Sequence, residues 1–145
     1  MTEIDFYTHV ADKYPVVRTL CAKALAQEMR VVIYTTDYTA ANRIDLMLWS
    51  HPPTGFLPHC RSDHPLAAVT PVVIAHNGDR VDHDEILLSL SPQRPPFFSR
   101  FRRLIEIVGL DEEDQRAARE RYRFYRDRGY LIRPHNLDKR SSARG

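Results

Sequence analysis

The chain has 145 residues, of which 43% are hydrophobic and 28% are charged. That length and balance are typical of one globular domain with a single core. The sequence has no apolar run of about 18 residues and no signal-peptide core, which argues against a membrane-spanning or secreted protein. We expect a cytoplasmic protein in which the two cysteines, Cys21 and Cys60, are reduced thiols.

The net charge of +2 conceals an asymmetry along the chain. Residues 1–115 contain 11 Lys and Arg against 16 Asp and Glu, whereas residues 116–145 contain 10 against 3. The acidic body and the basic C-terminal end predict an anionic partner for that end, either nucleic acid or an acidic peptide.

Hydrophobic periodicity and turn residues predict five strands and three helices. In chain order they are a strand at Glu3–Thr8, a helix from Pro15 to about Met29, a strand at Val31–Thr35, a helix from a cap at Asp37 to Trp49, strands at Pro71–His76, Glu85–Leu90 and Leu104–Val108, and a helix at Asp111–Arg128. Residues 50–58 are loop by composition, residues 97–101 form an aromatic turn, and residues 131–145 form a polar basic tail after a domain of residues 1–130. This order predicts one three-layer α/β/α domain on a mostly parallel five-stranded sheet.

The last predicted helix carries a cationic stripe. Arg119, Tyr122, Arg123 and Arg126 are spaced i, i+3, i+4 and i+7, so they share one face, and Gly129 can end the helix. Guanidinium groups suit carboxylates and phosphates, and the phenol ring can pack an apolar group between them. The stripe predicts a receptor for a short, acidic and partly hydrophobic ligand. The alternative is a solvated basic face whose aromatic residues point to the core.

Several catalytic chemistries lack the residues they need. The five glycines form no phosphate-binding loop, which removes the main support for a nucleotide-binding domain. No serine stands in a nucleophile elbow. The densest group of possible metal ligands consists of His51, His59, Cys60 and His64. Their spacing matches no known zinc-binding pattern. The acidic group Asp79, Asp82, Asp84 and Glu85 is best interpreted as a solvated loop. We therefore expect no metal site and no cofactor.

An aromatic pair flanks the Pro-rich loop after the second helix. Trp49 ends that helix, and Phe56, Leu57 and Pro58 follow across the loop. Such a group is either a lid over the core or a protein-binding patch, and composition does not separate the two.

Five segments, taken together, resemble the chi subunit of bacterial DNA polymerase III holoenzyme. They cover residues 3 to 130 in the order of that family, and the second and fifth are specific in combination. The segments are Phe6-Tyr7, L-W-S-H-P-P-T-G-F-L-P-H (Leu48–His59), Asp84–Leu90, Phe101–Val108 and A-R-E-R-Y-R-F-Y-R-D-R-G-Y (Ala118–Tyr130).

The resemblance implies a non-catalytic subunit with a Rossmann-like α/β fold that lacks the phosphate-binding loop and needs no cofactor. It implies that the protein binds the C-terminal tail of single-stranded DNA-binding protein, an acidic run that ends in Pro-Phe with a free carboxylate. It also implies pairing with the psi subunit, and through psi with the clamp loader. In some bacteria a helicase-like repair protein uses the same face. DNA would be contacted only indirectly, and no membrane is involved.

The resemblance also assigns residues to both surfaces. The tail-binding residues would be Val108, Arg119, Tyr122, Arg123, Arg126 and Tyr130, with the arginines holding carboxylates and with Tyr122 and Val108 packing the terminal Phe. The residues facing psi or the helicase-like protein would be Trp49, Phe56, Leu57 and Pro58.

Two other functions use the same features. A direct single-stranded nucleic-acid-binding module would stack bases on the aromatic residues of the basic C-terminal helix. A degenerate nucleotide enzyme would keep the α/β fold without the phosphate-binding loop. The acidic body and the small net charge favour the peptide-binding protein, since a nucleic-acid binder usually shows basicity well beyond one helix.

Overall fold

The computed structural model describes residues 1–50, 57–76 and 83–138 as one sheet of parallel strands with helices on both faces. The strands are β1 (Glu3–Val10), β2 (Val31–Thr35), β3 (His59–Arg61), β4 (Val72–His76), β5 (Ile86–Ser89), β6 (Arg103–Gly109) and β7 (Ile132–Asn136). The α-helices are α1 (Lys13–Ala26), α2 (Tyr38–Ser50) and α3 (Glu112–Asp127). Single 3₁₀ turns lie at Ala67–Val69 and Phe98–Arg100.

The strands are ordered β3-β4-β2-β5-β6-β1-β7, and all six neighbouring pairs are parallel. The predicted three-layer α/β class is therefore confirmed. The predicted count of five strands is wrong, because the described residues form a sheet of seven. The two unpredicted strands, β3 and β7, lie at its opposite ends. Edge strands are short and tolerate charges and proline, so they lack the hydrophobic pattern that reveals a central strand.

β7 lies in the segment that the sequence assigns to a polar tail. It pairs with β1 from Ile4 opposite Ile132 to Thr8 opposite Asn136, and the N–H of Leu137 donates to the Thr8 carbonyl over 2.9 Å. The sequence predicted no strand after Tyr130, and this prediction is wrong for residues 132–136. Residues 139–145 lie outside the described residues, and a basic tail there stays a prediction.

The sheet separates two apolar cores. Buried side chains of α1 and α2, such as Val17 and Ile44, pack on one face with Ile33 of β2. Tyr125 of α3 packs on the other face with Phe6 of β1. All five residues of β2 are buried, which confirms the prediction of a strand covered on both faces. No helix in the described part of the chain is long and apolar enough to cross a bilayer.

Candidate functional site

Helix α3 has well-defined ends. The Asp111 carboxylate accepts the N–H of Asp114 over 3.3 Å, and three acidic residues in the first turn suit the positive end of the helix dipole. Gly129, at φ 84°, ends the helix as predicted. Its N–H donates to the Arg126 carbonyl over 3.0 Å, and the N–H of Tyr130 donates to the Tyr125 carbonyl over 3.1 Å, which is a Schellman motif. This turn directs the chain into β7.

The inner side of α3 is held by a buried ion pair that was not predicted from the sequence. Arg121 is 4% exposed, and its Nε lies 3.2 Å from Oε2 of Glu106, which is fully buried. The Tyr125 hydroxyl donates to the same oxygen over 2.7 Å. The Nη1 group of Arg121 also donates to the Pro92 carbonyl over 2.5 Å. The network therefore joins α3, β6 and the loop after β5.

Burial dominates the electrostatics of this network. It raises the pKa of Glu106, while the Arg121 charge and the Tyr125 hydrogen bond oppose that shift. Burial and the neighbouring carboxylate also raise the pKa of Tyr125, so its hydroxyl stays protonated and donates. A signal for the pair exists in the sequence. Glu106 interrupts an otherwise apolar strand, and Arg121 shares a helix face with Ala118 and Tyr125.

The residues of the predicted stripe lie together on one exposed side of α3, and we call Arg119, Tyr122, Arg123 and Arg126 the arginine flank. Among the described residues, the one carboxylate that Arg126 meets is that of the adjacent Asp127, at 3.3 Å in an exposed pair, and such pairs contribute little. Within the described residues, no carboxylate lies within 4.0 Å of the guanidinium of Arg119 or Arg123. Two guanidinium groups of the arginine flank are therefore available to an external anion.

Tyr122 links the arginine flank to the sheet. It is 37% exposed, and its ring lies 5.6 Å from that of Phe6 in an edge-to-face contact. Phe6 is paired in register with Pro134 of β7, and Ile4 is paired with Ile132. Since register partners point to the same face, exposed Pro134 and half-buried Ile132 continue the apolar surface beside Tyr122. This surface could not be predicted from the sequence, because β7 has no strand pattern of its own.

The other two residues assigned to the tail site lie elsewhere. Val108 is 1% exposed in the core beneath α3, so in this conformation it supports the helix from below and offers no surface to a ligand. Tyr130 is half-buried, and its ring packs 5.4 Å from Phe98 and 6.3 Å from Tyr125. The exposed part of the predicted site is therefore the arginine flank itself.

The second predicted surface lies across the sheet, on α2. Trp49 is 59% exposed, and its ring lies 5.2 Å from that of His59. The Nδ1 group of His59 bonds to the Leu57 carbonyl over 2.6 Å. Leu57 is 8% exposed and joins the core, whereas Pro58 is exposed. Leu57 therefore belongs to the core, as a lid would, whereas Trp49 exposes apolar surface. Phe56 lies outside the described residues.

The carboxyl edge of the sheet, where related folds bind nucleotides, is acidic. Two adjoining cavities of about 510 and 520 Å³ share Lys13, Leu90 and Pro92. The carboxylates that line them are Asp12, Asp37, Asp111, Glu113, Asp114 and Glu120. Lys13 is already paired with Asp114 at 2.8 Å. Carboxylates repel phosphates, so this edge gives no support to a nucleotide enzyme.

The described residues contain no group of three or more His, Cys, Asp or Glu side chains that could hold a metal ion. Three of the candidates considered from the sequence, His51, Asp79 and Asp82, lie outside the described residues.

The sequence model of the family described as DNA polymerase III chi subunit, HolC, matches residues 1–133. The chain belongs to this family. A relative from Pseudomonas aeruginosa is 30% identical over 143 residues, which cover 96% of this chain and 99% of the relative. A relative from Haemophilus influenzae is 29% identical over 81% of this chain and 83% of its own length. A relative from Escherichia coli strain K12 is 32% identical over 71% of each chain.

All three relatives are named DNA polymerase III subunit chi. The resemblance drawn from the five sequence segments is therefore confirmed at the level of the family. The chi family model extends to residue 133 and so reaches into β7, beyond the last segment that carried the resemblance.

Proposed function

We propose that this protein is a non-catalytic chi subunit that associates with the DNA polymerase III complex and connects its clamp loader to coated single-stranded DNA. In this proposal the arginine flank binds the acidic C-terminal tail of single-stranded DNA-binding protein. The psi subunit, or a helicase-like repair protein, binds the opposite face of the sheet. The observation that carries the proposal is the arginine flank, in which Arg119 and Arg123 have no carboxylate partner among the described residues.

The spacing of the arginine flank suits an extended acidic peptide. Cβ atoms four residues apart on a helix, such as those of Arg119 and Arg123, are about 6 Å apart. Alternate side chains of an extended peptide are about 6.6 Å apart, since each residue advances the chain by about 3.3 Å. Two arginines on the helix can therefore meet alternate carboxylates of the peptide, each through a charge-assisted hydrogen bond.

Tyr122 and the adjacent apolar surface suit the hydrophobic end of such a tail. The exposed part of the Tyr122 ring, together with Ile132 and Pro134 of β7, offers an aromatic and aliphatic wall beside the guanidinium groups. An aromatic terminal residue would bury its ring against that wall while its carboxylate stays near the arginines. A polynucleotide has no equivalent of this single apolar end.

Peptide titration tests the tail site. A synthetic peptide that ends in acidic residues and Pro-Phe should bind with a micromolar dissociation constant, which corresponds to a binding free energy on the order of −7 to −8 kcal/mol. The Arg119→Ala/Arg123→Ala/Arg126→Ala variant should lose that binding, and Lys23→Ala, which removes an exposed cation of α1 on the other face of the sheet, should keep it. Equal binding by the wild type and the folded triple variant would contradict the proposal.

A second titration separates peptide from nucleic acid. The protein should bind bare single-stranded DNA weakly at physiological salt, and should join DNA already coated with single-stranded DNA-binding protein. Removing the last residues of the coat protein should abolish that recruitment. Tight binding to a naked oligonucleotide would favour the direct nucleic-acid-binding module instead.

The proposed psi surface has its own test. Trp49→Ala should weaken binding to psi or to the helicase-like protein by about 2 kcal/mol, the scale of an exposed aromatic anchor. Peptide affinity should not change, because α2 and α3 pack on opposite faces of the sheet. A variant that loses both partners and melts at a much lower temperature would show instead that Trp49 supports the fold. We expect Phe56→Ala to behave like Trp49→Ala.

A further inference from the structure

The side of α3 opposite the arginine flank carries a second cationic group, which we call the Phe124 clasp and define as Arg94, Phe124 and Arg128. The Cζ atoms of Arg94 and Arg128 lie 3.6 Å and 4.5 Å from the centroid of the Phe124 ring. Both arginines are exposed, and Phe124 is half-buried. One aromatic ring therefore holds two guanidinium groups, one from the loop after β5 and one from the C-terminal end of α3.

Among the described residues, neither guanidinium of the clasp has a polar partner. Within residues 1–50, 57–76 and 83–138, neither donates a hydrogen bond or meets a carboxylate within 4.0 Å. Stacking on a ring fixes the plane of a guanidinium and leaves its N–H edges free. The clasp thus presents two oriented hydrogen-bonding forks to solvent, and the rotamer freedom that a ligand would otherwise have to restrict is already reduced.

The platform beneath the clasp is rigid. The ring of Phe98, which is 7% exposed, lies 6.5 Å from that of Phe124 and 5.1 Å from that of Tyr125. The loop that carries Arg94 is tied to α3 by the hydrogen bond from buried Arg121 to the Pro92 carbonyl. The same buried network therefore positions the clasp and the arginine flank.

We propose that the Phe124 clasp binds carboxylates that precede the terminal residues of the acidic peptide, so that the peptide crosses α3 from the arginine flank to the clasp. This inference rests on the proposed function, which it extends to a longer ligand. A helix with its side chains is about 10–12 Å across, so roughly three or four extended residues span it. Asp127, on the exposed crest between the two sites, is already paired with Arg126.

Two features favour a peptide over a nucleic acid at the clasp. Arg94 and Arg128 cover the Phe124 ring, which leaves less of its face for a stacked base. The same side of α3 becomes acidic towards its start, where Glu113 and Glu120 line the cavity at the carboxyl edge of the sheet. Those charges would repel a phosphate backbone that continued along the helix, whereas a short carboxylate run ends before it reaches them.

The test uses three peptides and the full-length protein. One peptide has two acidic residues before Pro-Phe, the second adds four acidic residues at its N-terminus, and the third adds four serines instead. At low salt the wild type should bind the acidic extension about 3- to 10-fold more tightly than the serine extension, the range expected for two exposed charge pairs. That gain should fall as salt is added.

Arg94→Ala/Arg128→Ala should abolish the gain and leave the affinity for the short peptide unchanged, while Lys23→Ala, on the other face of the sheet, should keep both. Arg94→Lys/Arg128→Lys keeps the charge without the planar stack, and should recover only part of the gain. A melting curve for each variant confirms that it is folded.

The outcomes separate the two proposals. If the wild type binds the short peptide but gains nothing from the acidic extension, or if the Arg94→Ala/Arg128→Ala variant keeps the gain, the clasp inference is wrong and the proposed function stands. If none of the peptides binds the wild type, the proposed function fails and the clasp inference fails with it. If a thymidine oligonucleotide binds and the clasp variant loses it, while the acidic extension adds nothing, the clasp is a nucleic-acid site.

Discussion

Arg121 and Arg123 are two residues apart on α3, yet they differ both in burial and in whether they meet a carboxylate. Arg121 is 4% exposed and pairs with the buried carboxylate of Glu106, whereas Arg123 is exposed and meets no carboxylate within 4.0 Å in the described part of the chain. A rotation of about 200° around the helix axis separates a structural arginine from one available to a partner. Residue type alone therefore does not assign a role in this arginine-rich helix.

The comparison predicts that the inner side of α3 controls stability. Glu106→Gln should lower the free energy of unfolding by about 3–5 kcal/mol, because it leaves the Arg121 charge buried without its carboxylate. Denaturant unfolding measures the loss of free energy, and Glu120→Gln, at an exposed position of α3, is the control.

A second variant sharpens this prediction. Replacing the whole network, as in Glu106→Leu/Arg121→Met/Tyr125→Phe, should recover most of the loss, since the apolar side chains have no charge to desolvate and the Tyr125 hydroxyl, which donates to Glu106, is removed with its acceptor. If Glu106→Gln unfolds at the same denaturant concentration as the wild type, the buried pair is not what fixes α3.

The arginine flank should show the opposite behaviour. Arg123→Ala should weaken binding of the acidic peptide by roughly 1–3 kcal/mol, because a charge-assisted contact is lost. The free energy of unfolding should change by less than about 0.5 kcal/mol, as for other exposed substitutions. Isothermal titration and thermal melting on the same sample measure both. A variant with full peptide affinity and reduced stability would reverse the roles assigned to the two sides of the helix.

Asp5 lies between the buried pair of Arg121 and the exposed arginine flank, because its carboxylate is buried and its partners are partly exposed. Burial alone would raise its pKa, but hydrogen bonds from His135, Arg103 and Arg133 outweigh burial and lower the pKa below 3.8. Asp5→Asn should lower the free energy of unfolding at neutral pH by roughly 1–2 kcal/mol, less than at Glu106 because the arginines can turn to solvent.

The pH dependence of that loss follows from the direction of the shift. Above about pH 5 the carboxylate is ionised in both the folded and the unfolded chain, and its stabilisation is fully present. As the pH falls below 3.8 and through the lower folded pKa, the unfolded chain takes up the proton first, and the stabilisation is lost. The difference between the wild type and Asp5→Asn should therefore shrink below pH 4. A difference that stays constant from pH 7 to pH 3 would contradict this account.

Several elements follow from local sequence patterns alone. The continuous β-branched run Val31–Thr35 predicts β2 with the bounds that the structure has, because a strand covered on both faces leaves no polar position in its pattern. The caps of the later helices are equally local. Asp37 accepts the N–H of Thr39 over 2.9 Å at the start of α2, and Gly129 ends α3 in the left-handed conformation. The arginine flank also follows from helical spacing once α3 is assigned.

Other features depend on contacts between residues far apart in the chain. β7 pairs with β1 across more than 120 residues, and its sequence I-R-P-H-N has no strand pattern of its own. The Arg121 pair depends on Glu106 of β6, and the Phe124 clasp on Arg94 of a separate loop.

The α/β class, the central strands, the ends of α3 and the resemblance to the chi family can all be predicted from the amino-acid sequence, because each rests on local periodicity, capping chemistry or a run of matching residues. Three features become visible once the chain is folded: which arginines of α3 are buried, where the edge strands lie and which apolar surface adjoins Tyr122. The physical reason is that burial and pairing of a charge depend on what packs against it. In this protein those neighbours come from β1, β6, β7 and the loop after β5, which chain order does not bring together.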